Sequence, residues 1–159
     1  MNYNANNEVL TVCEVEISYR PKVKACDRPV LSSSADIYKF LMGSGVFDPS
    51  TIEYKEFFKI ILLNNANRVL GVSHLSEGGI NKTAVDIRHI MQPAILSNSV
   101  ALVICHNHPS GNLRPSVDDD WSTRQIKAAC KIFNIILIDH LIVTSENYYS
   151  YADEGRLYD

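Results

Sequence analysis

The stretch Ser99–Cys105, Ser-Val-Ala-Leu-Val-Ile-Cys, is a nearly continuous apolar run of strand length. Such a run is typical of a strand that is buried on both faces, because a strand with one exposed face alternates apolar and polar residues. A strand covered on both sides lies within a sheet that has helices packed on it. The run therefore predicts a layered fold of helices and sheet.

The elements predicted around this strand fit such a fold. They are a first strand over Val9–Ser18, a helix over Ser32–Gly43, an antiparallel hairpin turning at Asn64–Asn67, a helix over Asp86–Asn98, a helix over Val117–Phe133, and a final hairpin of Ile135–Thr144 with Tyr148–Ala152. Their order, β-α-ββ-α-β-α-ββ, predicts a single-domain α/β or α+β protein with a mixed sheet.

Two of the predicted helices carry more detailed expectations. Pro93 lies inside the second helix, where a missing N–H donor and a steric clash predict a bend or an early end. The third helix has apolar residues at roughly helical spacing, which predict the stripe that faces the core. These residues are Trp121, Ile126, Ala129, Cys130 and Phe133.

Composition and charge limit the kind of protein. The 159 residues fit one domain, residues 9–159, after a short flexible N-terminus, residues 1–8. No apolar run approaches the ~18 residues of a membrane helix, and the first residues lack the features of a signal peptide. We therefore expect a cytoplasmic protein without membrane contacts. The net charge of −3, with no basic run, gives no support to nonspecific nucleic-acid binding.

Two histidines stand directly after the buried strand. His106 and His108 are two residues apart, so alternation along a strand puts both imidazoles on one side, while Cys105 and Asn107 point away. Two neutral imidazoles that converge from one extended segment form half of a typical zinc site. The four cysteines of the chain offer no C-x-x-C pair as an alternative set of ligands.

Asp119 is the expected third ligand. A Pro- and Gly-containing loop redirects the chain after His108, so that a carboxylate on the first turn of the next helix can return to the histidines. Three protein ligands leave a fourth position open, as in catalytic rather than structural zinc sites. Ser116 and Asp119 also match the capping-box pattern of a helix N-terminus, and taken alone they fit this structural role at least as well.

Other interpretations of the histidines are weaker. The adjacent letters H-N-H do not have the spacing of a ββα-metal nuclease, and the H-x-E and P-C-x-x-C elements of zinc deaminases are absent from the sequence. His140, in Asp139-His140-Leu141, could lie next to the metal ligands, but a hydrogen-bonded structural histidine is the favoured interpretation.

The spacing His106-x-His108, seven residues, Ser116, two residues, Asp119 resembles the H-x-H-x7-S-x2-D signature of the JAMM (JAB1/MPN) metalloprotease family. With "HNHPSG", "IDHLIV" and "YYSYADEG", the chain looks like the bacterial RadC branch, in a short form without a helix-hairpin-helix region. The resemblance implies a curved mixed sheet flanked by helices, with an architecture related to the cytidine deaminases. It also implies one Zn²⁺ per chain, held by His106, His108 and Asp119.

The resemblance further implies the catalytic residues and the reaction. Ser116 is the serine of the motif, and the upstream glutamate is matched by Glu56, before Phe57-Phe58, rather than by Glu53. The expected function is a zinc-dependent hydrolase that cleaves a peptide or isopeptide bond in a peptide or protein substrate. The alternative is a non-hydrolytic accessory protein in DNA repair or mobile-element biology.

Overall fold

One mixed sheet organises the residues that the computed structural model describes, 18–77 and 86–157. The elements are α1 (Ser34–Gly43), β1 (Phe57–Leu63), β2 (Val69–Glu77), α2 (Ile87–Leu96), β3 (Ala101–Asn107), α3 (Val117–Ile132), β4 (Ile136–Val143) and β5 (Tyr148–Ser150). This order confirms the prediction from the first helix onward. The predicted flexible N-terminus, residues 1–8, and all of the predicted first strand except Ser18 lie outside the described residues.

The five strands are arranged in the order β2-β1-β3-β4-β5, with β3 in the middle. The pairing of β3 with β4 is parallel, and the other pairings are antiparallel. A parallel pair needs a crossover connection, and α3 supplies it between β3 and β4. The start of α3 therefore lies near the C-terminal end of β3, at the end of the sheet where the parallel strands β3 and β4 finish.

Both faces of β3 are buried, as its apolar sequence predicts. Alternate residues face opposite sides: Ala101, Val103 and Cys105 pack in one cluster with α1, and Leu102 and Ile104 pack in another with α2 and α3. The sheet is therefore a middle layer, with α1 on one face and the other two helices on the opposite face. This is the mixed α+β single domain that the sequence predicts.

Some expectations about the helices are wrong. α2 continues past Pro93 to Leu96, so the expected early end is wrong, while the bend stays a prediction. In α3, Ile126 and Cys130 are buried as expected, whereas Trp121 and Phe133 are 57% and 49% exposed. Trp121 lies five residues before Ile126, a rotation of about 140° around the helix axis, and Phe133 is already the C-terminal cap. In the described part of the chain, no helix is long and apolar enough to cross a membrane.

Candidate metal centre

His106 and His108 lie at the C-terminal end of β3, on the face covered by α2 and α3. Their Nε2 atoms are 3.0 Å apart, which confirms that the two rings converge from one strand. The side chain of His106 is 1% exposed and that of His108 is 17% exposed. The pair therefore has a buried member and a member that reaches the surface.

Asp119 approaches this pair from the first turn of α3. Its Oδ1 atom is 3.2 Å from Nε2 of His106, and its Oδ2 atom is 3.7 Å from Nε2 of His108. The side chain is 14% exposed. The crossover from β3 into α3 thus brings the carboxylate back to the histidines, as the sequence motif predicts.

The capping box expected as an alternative is present at the same time. Ser116 is the N-cap of α3 and its Oγ accepts the N–H of Asp119 at 3.1 Å. In return, Oδ2 of Asp119 accepts the N–H and the hydroxyl of Ser116, each at 2.6 Å. The two interpretations are compatible, because Oδ2 accepts the bonds from Ser116 at the helix terminus while Oδ1 faces His106.

The three side chains form a group that could hold a metal ion. One ligand atom from each of His106, His108 and Asp119 can be chosen so that all three lie within 4.8 Å of one another. Bonds of ~2.0–2.1 Å at tetrahedral angles would separate two ligand atoms by about 3.3 Å. The two Nε2 atoms are 3.0 Å apart, Oδ1 is 3.2 Å from Nε2 of His106 and Oδ2 is 3.7 Å from Nε2 of His108, all close to this value. The donor set, two imidazoles and one carboxylate, also suits a divalent transition metal.

Burial and neighbouring groups shift the pKa of the Asp119 carboxylate in opposite directions. Its burial favours the neutral acid, but hydrogen bonding and charge from His106, together with the bonds from Ser116, outweigh this effect. They hold the pKa of Asp119 well below its usual range. The group is therefore an anion at neutral pH, which is the form that binds a cation.

The Nδ1 atoms of the two imidazoles, which face away from Asp119, are both hydrogen-bonded. Nδ1 of His108 is 2.6 Å from the backbone carbonyl oxygen of Asn112. This oxygen can only accept a hydrogen bond, so Nδ1 is the donor. Nδ1 of His106 is 2.8 Å from Nε2 of His140. His140 is wholly buried, and this burial, followed by the effect of His106, lowers its pKa well below the ordinary value.

His140 is hydrogen-bonded as expected, but its partner is a proposed ligand, which is the less favoured of the two alternatives from the sequence. The parallel pairing of β3 with β4 puts His140 opposite Ile104, and its ring lies 4.9 Å from that of His106. The sequence separates the two histidines by a long helix, and nothing in it shows this register. The one available signal was the polar Asp139-His140 pair inside an otherwise apolar strand.

Glu56 lies two residues before Phe58, which pairs with His106 at the end of the ladder between β1 and β3. The ring of Phe58 is stacked on that of His106 at 5.8 Å. Strand alternation, extended past the start of β1, predicts Glu56 on the same face as these two rings. Glu56 is half-buried. Glu53 is exposed and its Oε1 accepts the hydroxyl of Ser145 at 2.7 Å, as suits a loop residue.

Asn107, which lies between the two histidines, faces the other side of the sheet. Its side-chain amide accepts the N–H of Phe57 at 2.7 Å and donates to the carbonyls of Lys55 and Ile52 at 2.6 Å each. The residues on either side of Glu56 are therefore fixed by the amide of a single buried side chain. No sequence pattern indicated this role for Asn107.

Comparison with known proteins shows what this chain is similar to. The family model of the RadC-like JAB domain matches residues 31–156. A UPF0758 protein of Flavobacterium johnsoniae is 44% identical over 100 residues, which are 63% of this chain and 44% of the relative. A UPF0758 protein of Clostridium beijerinckii is 33% identical over 152 residues, which are 95% of this chain and 64% of the relative. The chain thus matches 44% to 64% of the length of these relatives.

Proposed function

From the premise that the chain belongs to the RadC-like JAB domain family, we propose that it is a zinc-dependent hydrolase of peptide or isopeptide bonds. The observation that carries this proposal is the convergence of His106, His108 and Asp119 at a partly open edge of the sheet. Among the described residues this group has three members, whereas structural zinc sites usually have four protein ligands. Three ligands suit a site at which a substrate also binds.

The residues that would hold the zinc ion are Nε2 of His106, Nε2 of His108 and the carboxylate of Asp119. When bound, zinc supplies a Lewis acid that polarises a carbonyl group and makes water more acidic at neutral pH. The hydrogen bond from His108 to the carbonyl of Asn112 keeps the proton on Nδ1 and leaves Nε2 free to coordinate.

Glu56 is proposed as the general base. It directly precedes β1, strand alternation predicts it on the face that carries the histidines, and the residues on both sides of it are held by Asn107. A carboxylate in this position accepts the proton of the attacking water and passes it to the leaving amine as the amide bond breaks. Fixing the backbone around the base limits the positions that its carboxylate can take.

Ser116 is proposed to donate a hydrogen bond to the oxygen of the scissile carbonyl as negative charge develops there. Its single hydroxyl proton is engaged by Oδ2 of Asp119 at 2.6 Å. Donation to a substrate therefore requires the hydroxyl to turn away from Asp119, which the backbone N–H of Ser116 continues to hold at 2.6 Å. Asp119 thus keeps one bond to the helix terminus during the reaction.

Elemental analysis of the purified protein, followed by a cleavage screen, tests the proposed function. The screen uses a fluorogenic peptide library and isopeptide-linked substrates, with and without a zinc chelator. We expect about one zinc ion per chain and cleavage that the chelator abolishes and added zinc restores. Zinc-independent cleavage, or a protein that holds zinc and cleaves nothing, would contradict it. If the protein holds zinc and cleaves nothing, salt-sensitive binding to branched DNA would favour the accessory function.

A further inference from the structure

A continuous series of buried hydrogen bonds connects one proposed ligand to the backbone of another. Nδ1 of His106 is 2.8 Å from Nε2 of His140, and Nδ1 of His140 is 2.6 Å from Oγ1 of Thr123. Oγ1 of Thr123 is in turn 2.6 Å from the backbone carbonyl of Asp119. His106, His140 and Thr123 are all buried, so water does not compete for these bonds.

The chemistry of the terminal carbonyl fixes the direction of every bond in this series. A carbonyl oxygen only accepts, so the one hydroxyl proton of Thr123 is donated to Asp119. Oγ1 of Thr123 must then accept from Nδ1 of His140, which therefore carries a proton. A neutral His140 has its lone pair on Nε2, and this atom must accept from Nδ1 of His106. Neutral His106 is then left with its lone pair on Nε2, the atom that lies 3.0 Å from Nε2 of His108 and 3.2 Å from Oδ1 of Asp119.

We propose that Thr123 and His140 are positioning residues that set the tautomer of His106, so that its Nε2 lone pair faces the metal site. The inference rests on the proposed function, because it concerns the same site. Two aromatic contacts hold His140 and His106 in the geometry that the hydrogen bonds from Thr123 through His140 to His106 need. The ring of Tyr151 stacks on His140 at 4.7 Å and 12°, and that of Phe58 stacks on His106 at 5.8 Å and 7°.

Replacing Thr123 by valine makes the inference sharply testable. Valine keeps the shape of threonine but removes both the acceptor for His140 and the donor to Asp119. Without an acceptor at Nδ1, His140 is expected to move its proton to Nε2 and donate to His106. His106 then carries its own proton on Nε2, opposite Oδ1 of Asp119, where the metal should bind.

The direct measurement is the tautomer of His106 in the metal-free protein, from ¹⁵N–¹H correlation spectra of the imidazoles near pH 8, above the ordinary His pKa of about 6.5. We expect the Nδ1–H form in the wild type and in Thr123→Ser, which keeps a hydroxyl, and a shift to the Nε2–H form in Thr123→Val. Ser99→Ala is a matched control, because it removes another buried hydroxyl near the opposite end of β3. This control should leave the tautomer unchanged.

Zinc affinity, from competition with a chromophoric chelator, provides a second readout that does not require activity. Thr123→Val should bind zinc about 10–100-fold more weakly, the usual effect of losing a partner of a ligand, while Thr123→Ser and Ser99→Ala remain near the wild type. A wild type in the Nε2–H form, or a Thr123→Val protein with wild-type tautomer and affinity, overturns the inference. A wild type that binds no zinc overturns the proposed function. The tautomer of His106 in the metal-free protein still decides whether Thr123 and His140 set it.

Discussion

Asn107 Oδ1 accepts the backbone N–H of Phe57 at 2.7 Å, which connects the segment before β1 to the strand that carries the histidines. We expect Asn107→Ala to lower the free energy of unfolding by about 1–3 kcal/mol for each buried backbone group that loses its partner. The protein should still bind zinc, since His106 and His108 remain, but hydrolysis should slow as Glu56 loses its fixed backbone. Urea denaturation, zinc analysis and rate measurements check the three effects.

Asn107→Asp provides a matched comparison. Aspartate preserves the acceptor for Phe57, but an ionised carboxylate faces the carbonyls of Ile52 and Lys55, to which the amide donates. A buried charge opposite two acceptors costs more than a missing side chain. We therefore expect the aspartate variant to be less stable than the alanine variant. The reverse order would show that the two donated bonds contribute little.

The ligand assignment predicts selective effects among three neighbouring aspartates. His106→Ala, His108→Ala and Asp119→Ala should each lose zinc, measured by elemental analysis after dialysis, while Asp118→Ala keeps it. Asp120→Ala should also keep zinc but unfold more readily. Asp120 accepts two bonds from Arg156, at 2.7 and 2.6 Å, and one from Tyr151 at 2.9 Å.

Equal zinc content in all three aspartate variants would contradict the assignment of Asp119. A loss of zinc from the Asp120 variant alone would instead show that the hydrogen bonds of Asp120 with Arg156 and Tyr151 position the start of α3.

Glu56→Gln separates acid–base chemistry from metal binding. Glutamine keeps the size of glutamate but cannot accept a proton at neutral pH. We expect normal folding, normal zinc content and a rate reduced by roughly 10²–10⁴-fold, the usual size of a general-base effect. Steady-state kinetics on a substrate from the cleavage screen measure the loss.

Glu53→Gln is the control for Glu56→Gln. Glu53 is exposed and its carboxylate is bonded to Ser145, so this variant should retain close to the wild-type rate. If Glu53→Gln loses activity and Glu56→Gln does not, the base has been assigned to the wrong glutamate.

Ser116 has two roles that different substitutions separate. Ser116→Ala removes the helix cap and one donor to Asp119, so we expect a loss of about 0.5–2 kcal/mol in the free energy of unfolding and weaker zinc binding. Ser116→Thr keeps the hydroxyl and should preserve stability and zinc. A Ser116→Ala protein with wild-type turnover at saturating zinc would show that the hydroxyl does not stabilise the developing oxyanion.

The sequence predicted the grouping of the three candidate ligands better than it predicted their surroundings. His106, His108 and Asp119 lie within one short segment, so strand alternation and the position of a helix start suffice to bring them together. His140 and Asn107 act through partners that are distant in the sequence, and the register of β3 with β4 and β1 determines those partners. Apolar periodicity identifies strands, but it does not fix how one strand is offset against the next.

The exposed Trp121 and Phe133 illustrate a similar limit within α3. Their hydrophobicity suggested burial, yet the buried face of the helix follows Thr123, Ile126 and Cys130. Thr123 is polar and would be assigned to the solvent side by any hydrophobic pattern. Its burial is explained by its bonds to His140 and Asp119, which only the assembled sheet and helix provide.

The three proposed ligands belong to one continuous piece of chain, from the end of β3 to the first turn of α3. The proposed base precedes β1, outside this piece of chain, and the residue proposed to orient His106 lies in β4. A preparation in which β3, α3 and β4 are formed but the segment before β1 is displaced would therefore hold the proposed metal while lacking the proposed base. Under the proposed function, full metal content is therefore a poor measure of sample quality, and preparations should be graded by near-UV circular dichroism or resolved imidazole resonances instead.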